Sequence, residues 1–548
     1  AAFSPELIYF RLVLRPQNTN LIPSKLLELS TPGHHQYGQH LSQREIHQIF
    51  SPSSQTIGSV SEWLIDTGVT HFEINNQSVS FSTTIQNSKK LFPANLSKRS
   101  EGFNDETTWR IHNYAVPDRL KTHVNFIQHT HHHEYFPLQH NDKIETIGLH
   151  NKTRRSTNTI PQDYIGVCTS KCNSRIVTPA CLRQLYSVPE THNRNASRAA
   201  FVTFSDLNTF GRLNDLSTFE YRYTPNVEKE GFSVKRFKPK AFGSGGVDDS
   251  VQINVDAQYM KAMSAPVLLE GYSVGGNWFD LLEELLSMTD EDLPHTLVAS
   301  YGGQESLLSR EEAVHICDMI EMLGMRGVSV IVSSGLDGVG GSCWELDKNR
   351  TRFGAHFPAS CPYVTAVGGT IGFDPERAAS FSGGGFSEYF NRSLAPWQEK
   401  DVSEFLNMNA NNLSSFFNRN GRSYPDVSAQ THAFLIIDHG TEYQVNFSSS
   451  SCPTFGGAIA LVNGARISNG QRPLGFLNPF LYGQGRVGLN DISTGYSVGC
   501  NGLERNGRPI VGHIIDGAKW HATNGWDPAT GLGTPNVTRL IEAATECM

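Results

Sequence analysis

The residues best placed to do chemistry lie in the last third of the chain, where Ser448-Ser449-Ser450-Ser451-Cys452-Pro453 stands directly before a long apolar stretch that reads as a helix. A serine just ahead of a helix start is a candidate nucleophile, because the first N–H groups of the helix lack intrahelical acceptors and the dipole favours negative charge developing there. Taken alone, such a serine is an ordinary polar helix-start residue. A hydroxyl is a weak nucleophile, so a working site must add a base, a group that orients the base, and donors for an oxyanion. The neighbouring Cys452 offers a thiol, but the sequence sets no histidine beside it.

Two other clusters carry chemistry-bearing side chains. His129, His131, His132 and His133 with Glu134 suit a metal or an acid-pH response, since imidazole changes charge near pH ~6.5; with nothing to orient the rings, a histidine-rich surface loop is the favoured reading. Cys168, Cys172 and Cys181 suit a local disulfide better than zinc, because a second ligand pair is lacking.

The elements that must position these groups fall into two blocks. Residues 1–128 mix alternating apolar segments such as Leu7–Leu14 with helical ones such as Val60–Ile65, the pattern of a compact α+β domain. From about 129 to 174 the periodicity gives way to His, Asn, Thr, Pro and basic residues, an exposed linker in which Arg154-Arg155 is either a protease site or a solvated charge pair. From about 175 to 548, the strand pattern Thr296–Tyr301, the helical spacing of Val314, Cys317, Ile320 and Leu323, and the strand pattern Val328–Val332 give the β-α-β order of a parallel sheet. The fold class expected is α/β, a parallel-sheet core preceded by an α+β domain.

The 548 residues, 38% hydrophobic and 18% charged, are ordinary for a globular protein of two or more domains. A net charge of −8 without a Lys/Arg stripe excludes a nucleic-acid partner, and no apolar run approaches a membrane span. The opening Ala1-Ala2-Phe3, without an initiator methionine or apolar leader, suggests a signal peptide already removed or left out. Nine Asn-x-Ser/Thr sequons, at Asn76, Asn95, Asn151, Asn195, Asn349, Asn391, Asn412, Asn446 and Asn536, support passage through a secretory pathway, towards secretion or an endolysosomal compartment. Nine cysteines leave at least one without an internal partner.

The order of motifs resembles the sedolisin family of serine-carboxyl peptidases, in its tripeptidyl-peptidase branch. Gln36-Tyr37-Gly38-Gln39-His40-Leu41-Ser42 is similar to the family's prodomain, and Phe357–Thr370, Ser382-Gly383-Gly384-Gly385-Phe386 and Gly525–Asn536 to its catalytic core. The family's Ser-Gly-Thr-Ser-x-Ser-x-Pro window reads Asn446-Phe447-Ser448-Ser449-Ser450-Ser451-Cys452-Pro453 here, which puts Ser449 on the nucleophile. The resemblance implies a subtilisin-like parallel sheet with the prodomain in front.

Family chemistry uses a Glu-x-x-x-Asp pair on one helix face and an Asp in a Ser-Gly-Asp loop that donates to the oxyanion, which favours acid pH. This chain keeps the Asp of the pair as Asp256 but places Gln252 at the base, and an amide cannot take the serine proton. Asp249, about 10 Å along the axis from Asp256, is too far to replace it and is expected to cap the helix. The oxyanion loop reads Ser334-Gly335-Leu336-Asp337, with Leu336 on the acid's position and Asp337 beside it as a candidate substitute. Phe447 replaces a glycine and narrows the pocket, and a glycan on Asn446 would sit near the cleft.

The resemblance also implies a Ca²⁺ site from Asp491, the carbonyls of Ile492, Thr523 and Gly525, and Asp527, hard oxygens of the kind calcium prefers, and a disulfide between Cys343 and Cys500. The expected function is that of a secreted pseudopeptidase that retains its prodomain and binds a peptide or small-molecule ligand in the cleft. Kept cleft residues, Asp256, Ser449, Tyr301 and the Ser382 loop, leave open a non-proteolytic enzyme acting through Asp256. An acid peptidase with a rebuilt oxyanion loop, and a purely binding or chaperone-like role, are further alternatives.

Overall fold

The computed structural model describes residues 7–92, 95–101, 106–112, 116–129, 176–190, 197–204, 213–224, 232–237, 250–274, 277–345, 350–408, 413–446, 448–502 and 514–546. The histidines from 131 to 133, Glu134, Arg154, Arg155, Cys168, Cys172, Asp249 and Phe447 lie outside these residues.

In the front block, alternation along Leu7–Leu14 pairs it antiparallel with Ser78–Thr84 on one side and Val124–His129 on the other, and Phe72–Ile74 extends the sheet. One face packs Ile8, Phe10 and Leu12 against Val60, Trp63 and Leu64 of the helix Ser54–Asp66, a core of its own. The other face docks on the rest of the chain. Arg11, fully buried, pairs with Asp280 at 2.7 Å and donates to Gln128 Oε1, Ser78 Oγ donates to Glu283, and the His40 ring contacts the Pro473 carbonyl at 2.8 Å.

The larger block is built on a parallel sheet in the order Phe232–Phe237, Leu268–Val274, Arg198–Thr203, Thr296–Ala299, Ser329–Ser333, Thr365–Ile371, with Val427–Gln430 also parallel to the last of these and Arg377–Ala378 antiparallel at the edge. The central strands Arg198–Thr203, Thr296–Ala299 and Ser329–Ser333 are buried on both faces, hence their apolar runs. Successive side chains feed opposite layers: Ala199, Phe201 and Val298 join the core under the helices Ser250–Ser264 and Ser451–Ser468, while Ala200, Val202, Leu297 and Ala299 join the one under Trp278–Ser287 and Arg310–Met325. The front block covers this second layer. Disulfides Cys317–Cys361 and Cys343–Cys500 tie the block together, Cys181 is also disulfide-bonded, and Cys452 is a buried free thiol. Among the described residues no helix is long and apolar enough to cross a membrane.

Candidate active site and cation site

Neighbouring parallel strands bring their carboxyl ends together, which is where open α/β sheets place their ligand crevice. Ser300 follows Thr296–Ala299, and Ser334-Gly335-Leu336 follows Ser329–Ser333, its partner in the sheet. Above these ends lie the starts of two buried helices. Gly457 lets them approach: a Cβ there would stand 2.6 Å from Met263 Cβ, so a side chain would force Ser451–Ser468 off Ser250–Ser264.

Ser449, 7% exposed, sits in the tight turn Ser448–Ser450 that leads into the helix. Its Oγ donates to Gln252 Oε1 at 2.6 Å. Gln252 Nε2 donates to Asp256 Oδ1 at 3.0 Å, one turn along the same helix, and Ser300 Oγ donates to the same oxygen at 2.7 Å. Ser300 Oγ also lies 3.5 Å from the Ser449 carbonyl. Asp256 Oδ1 accepts both bonds, which orients the amide with nitrogen inward and oxygen towards the serine. The proton of the hydroxyl is directed at an amide oxygen, which is no base.

The structure therefore joins Ser449, Gln252 and Asp256, and adds Ser300, which the sequence reading passed over although it ends a recognisable strand. Leu336 and Asp337 lie apart from these bonds in a half-buried turn. Gly383 N–H donates to the Gly335 carbonyl, Gly384 N–H to Gly338, and Cys500 N–H to Gly340, with the Cys343–Cys500 disulfide closing the far end. Asp337 turns back on its own loop: its carbonyl accepts from Gly340 N–H at 2.8 Å, and its Oδ2 would lie 3.2 Å from a Cβ on Gly341. Leu336 has no polar atom with which to meet an oxyanion.

Three neighbours are structural. Cys452 is fully buried, its Sγ 3.6 Å from the Ile331 carbonyl, and burial pushes the thiol well above its usual range, which withholds the thiolate. Tyr301 is 4% exposed and donates to Thr203, and buried Ser382 bonds Gly369 N–H and the Ala529 carbonyl.

The five residues of the expected cation site also converge. Asp527 Oδ1 accepts from the N–H groups of Ala529 and Thr530, and Oδ2 from Thr523 N–H, each at 2.9 Å. Asp491 Oδ2 accepts from Gly525 N–H at 2.7 Å, and Thr530 Oγ1 reaches the Ile492 carbonyl at 3.3 Å. Burial pushes the Asp527 carboxyl up to about 7 and raises Asp491 as well. No group of three or more His, Cys, Asp or Glu capable of holding a metal occurs among the described residues. A hard cation here would rely on two carboxylates and backbone oxygens, a donor set that fits Ca²⁺, and it would remove the cost of burying Asp527 as an anion.

Among the sequons, Asn76 and Asn391 are exposed, Asn446 is half-buried with Oδ1 accepting from Ala433 N–H, and Asn536 caps the last helix.

Comparison with known proteins places these features in a lineage. Residues 1–133 match the family described as Pro-kumamolisin, activation domain. The chain is 33% identical to "Probable tripeptidyl-peptidase SED2" of Arthroderma benhamiae, over 99% of this chain and 93% of that protein. It is also 33% identical to "Tripeptidyl-peptidase SED4" of Arthroderma otae, over 97% of this chain and 89% of that one. A solved Pseudomonas sedolisin, a serine-carboxyl proteinase, superposes with a TM-score of 0.51 at 18% identity, covering 68% of this chain and 98% of its own, a likeness of fold.

Proposed function

Given that the chain belongs to the sedolisin family of serine-carboxyl peptidases, we propose that it is a pseudopeptidase: a prodomain-bearing, Ca²⁺-binding protein that holds peptides in the cleft beside Ser449 without hydrolysing them. The observation that carries this reading is the 2.6 Å bond from Ser449 Oγ to the Gln252 amide oxygen. A carboxylate there would take the proton as the hydroxyl attacks. An amide oxygen keeps the shape and lacks the basicity, which removes about 10²- to 10⁴-fold of rate. The absent acid at Leu336 removes about 10²- to 10³-fold more, the usual worth of an oxyanion donor.

Asp337 does not replace that acid in this reading, because the loop between Gly335 and Gly340 is held at both ends and its carboxylate faces Gly341. Asp491 and Asp527, with the carbonyls of Ile492, Thr523 and Gly525, would hold calcium; the ion would supply charge compensation and rigidity to that loop. Disulfides Cys317–Cys361 and Cys343–Cys500 and the exposed sequons Asn76 and Asn391 favour an oxidising, secretory location.

A second reading rests on Asp256, fully buried yet bonded into the Ser449 cluster: a non-proteolytic enzyme using this remaining carboxyl on a small molecule. Asp256→Asn would then impair function more than Ser449→Ala does. The deciding experiment incubates the purified chain at acid pH with a general peptide library and with non-hydrolysable peptides. Binding without turnover is expected, and Ser449-dependent cleavage would overturn the reading.

A further inference from the structure

The sequon at Asn76 has a setting that the other sequons among the described residues lack. Asn76-Gln77-Ser78 follows the short strand Phe72–Ile74 and turns the chain into Ser78–Thr84, with Asn75 N–H donating to the Ser78 carbonyl across the turn at 2.8 Å. The side-chain oxygens of Asn391, Asn446 and Asn536 each accept a backbone N–H, from Ser393, Ala433 and Arg539. The Asn76 side chain is exposed and has no hydrogen bond among the described residues.

Asn76 stands at the rim of a cavity of about 310 Å³ on the seam between the two blocks. The helix Gln43–Phe50 and the turn at Asn76 and Gln77 line it from the front block, and the helix Trp278–Ser287 lines it from the larger one. Arg44 and His47, like Asn76, are exposed, so the cavity opens to solvent on their side. Its buried lining is mixed: Ile46 and Leu286 supply apolar surface, Gln77 and Glu283 polar groups. Gln77 Oε1 has no donor, and its Nε2 is held only by a 3.7 Å contact to Met322 Sδ, so no strong bond fixes this amide against turning to a polar guest. Small-molecule sites begin at about 300 Å³, which makes room here for one sugar ring and not for a branched oligosaccharide.

We propose that Asn76 is N-glycosylated and that the first N-acetylglucosamine of its glycan sits in this cavity, joining the front block to the larger one. A C–N bond forms between Asn76 Nδ2 and C1 of the sugar; the bond from C1 to the lipid-linked diphosphate donor breaks, the lipid diphosphate leaves with the electron pair, and the amide nitrogen gives up one proton. Transfer precedes docking of the front block, because Ser78, the third residue of the sequon, is fully buried in the folded chain with its Oγ donating to Glu283 at 3.1 Å. The acetamido methyl and the ring face match Ile46 and Leu286, and the hydroxyls and acetamido N–H match the acceptors of Gln77 and His47. The rest of the glycan leaves through the open side. A sugar bonded to one block and packed on the other adds to the contacts that keep the front block in place. The inference rests on passage through the secretory route and is independent of what the cleft does.

The test uses the full chain secreted from a eukaryotic host. Peptide mapping by mass spectrometry reads the occupancy of Asn76, and an endoglycosidase that cuts between the two core sugars leaves a single N-acetylglucosamine. Hydrogen exchange is then compared among intact, trimmed and Asn76→Gln proteins. Intact and trimmed chains should exchange alike, whereas the amides of Gln43–Phe50 should exchange about tenfold faster in Asn76→Gln, the worth of one or two hydrogen bonds lost from a local opening. Those amides should not respond to Asn391→Gln. If Asn76→Gln is not secreted, the amidase that removes whole glycans decides: it should release the Asn76 glycan about tenfold more slowly from the native chain than from the denatured one, and equal rates overturn the proposal. An unoccupied Asn76 on a chain that carries sugar at other sequons, exchange unchanged by Asn76→Gln, or protection already lost on trimming to one sugar overturns the proposal alone. A secreted chain with no sugar at any sequon overturns both it and the glycoprotein reading.

Discussion

Replacing Gln252 by Glu tests the geometry of the site directly. In the wild type, Nε2 of Gln252 donates to Asp256 Oδ1 at 3.0 Å in a buried site. The Gln252→Glu variant puts a second carboxyl at that distance. Two unit charges at 3.0 Å repel by about 5 kcal/mol even at an effective dielectric of 20, so the pair must share one proton to stay folded at little cost. The shared proton raises the upper of the pair's two titrations above the ordinary carboxylate range. A carboxyl whose folded-state pKa is raised contributes stability that is fully present below the unfolded value, near pH ~4.3, and is lost as pH rises through the folded value. The Gln252→Glu protein should therefore melt close to the wild type at pH 4 and a few degrees below it at pH 8, since a repulsion of about 5 kcal/mol lowers the Tm of a chain this long by about 4 °C. Differential scanning calorimetry of both proteins across this range is the assay. A Tm difference independent of pH would show that the amide and Asp256 are not in contact. Peptidase activity of this single variant should remain about 10²- to 10³-fold below that of a variant with the oxyanion acid restored; full activity in the single variant would show that Asp337 already serves.

The triple variant Gln252→Glu, Leu336→Asp, Phe447→Gly should gain Ser449-dependent cleavage in a fluorogenic tripeptide assay beyond the product of the single effects, because residues of one catalytic unit act non-additively. Prolonged incubation of pure wild-type chain at acid pH should give no Ser449-dependent fragments ending between residues 129 and 174; such fragments on a gel, abolished by Ser449→Ala, would defeat the pseudopeptidase reading. Calcium should raise Tm by the equivalent of about 2.7 kcal/mol at a hundred times its dissociation constant. The effect should be larger at pH 8 than at pH 5, because Asp527, raised to about 7, must lose its proton to bind, and it should vanish in Asp527→Asn. Arg11→Ala strands Asp280 without its buried partner and should cost about 3–5 kcal/mol in a denaturant titration.

Much of the scaffold was legible in the sequence because short-range physics writes it there. Continuous apolar runs such as Ser329–Ser333 mark strands buried on both faces, and the spacing of Cys317, Ile320 and Leu323 marks a helix with an apolar face. The four-residue separation of Gln252 and Asp256 makes their contact a property of the helix itself, and the serine run announces a helix start. The motif order carried the family resemblance, and with it the Cys343–Cys500 pair, which no local pattern specifies across 157 residues. Tertiary packing decided the rest. The amide of Gln252 meets Ser449 across 197 residues only because Gly457 lets two helices close on each other. Cys452, next to the serines in sequence, faces the sheet because one step along a helix turns a side chain by about 100°. The loop that carries Leu336 is pinned by backbone bonds from residues 383, 384 and 500 to Gly335, Gly338 and Gly340. The Asn76 sequon is plain in the sequence, but the cavity beside it is not: it exists only because the front block docks on the larger one, which brings Gln43–Phe50 and Trp278–Ser287, far apart in the chain, to the two sides of one turn.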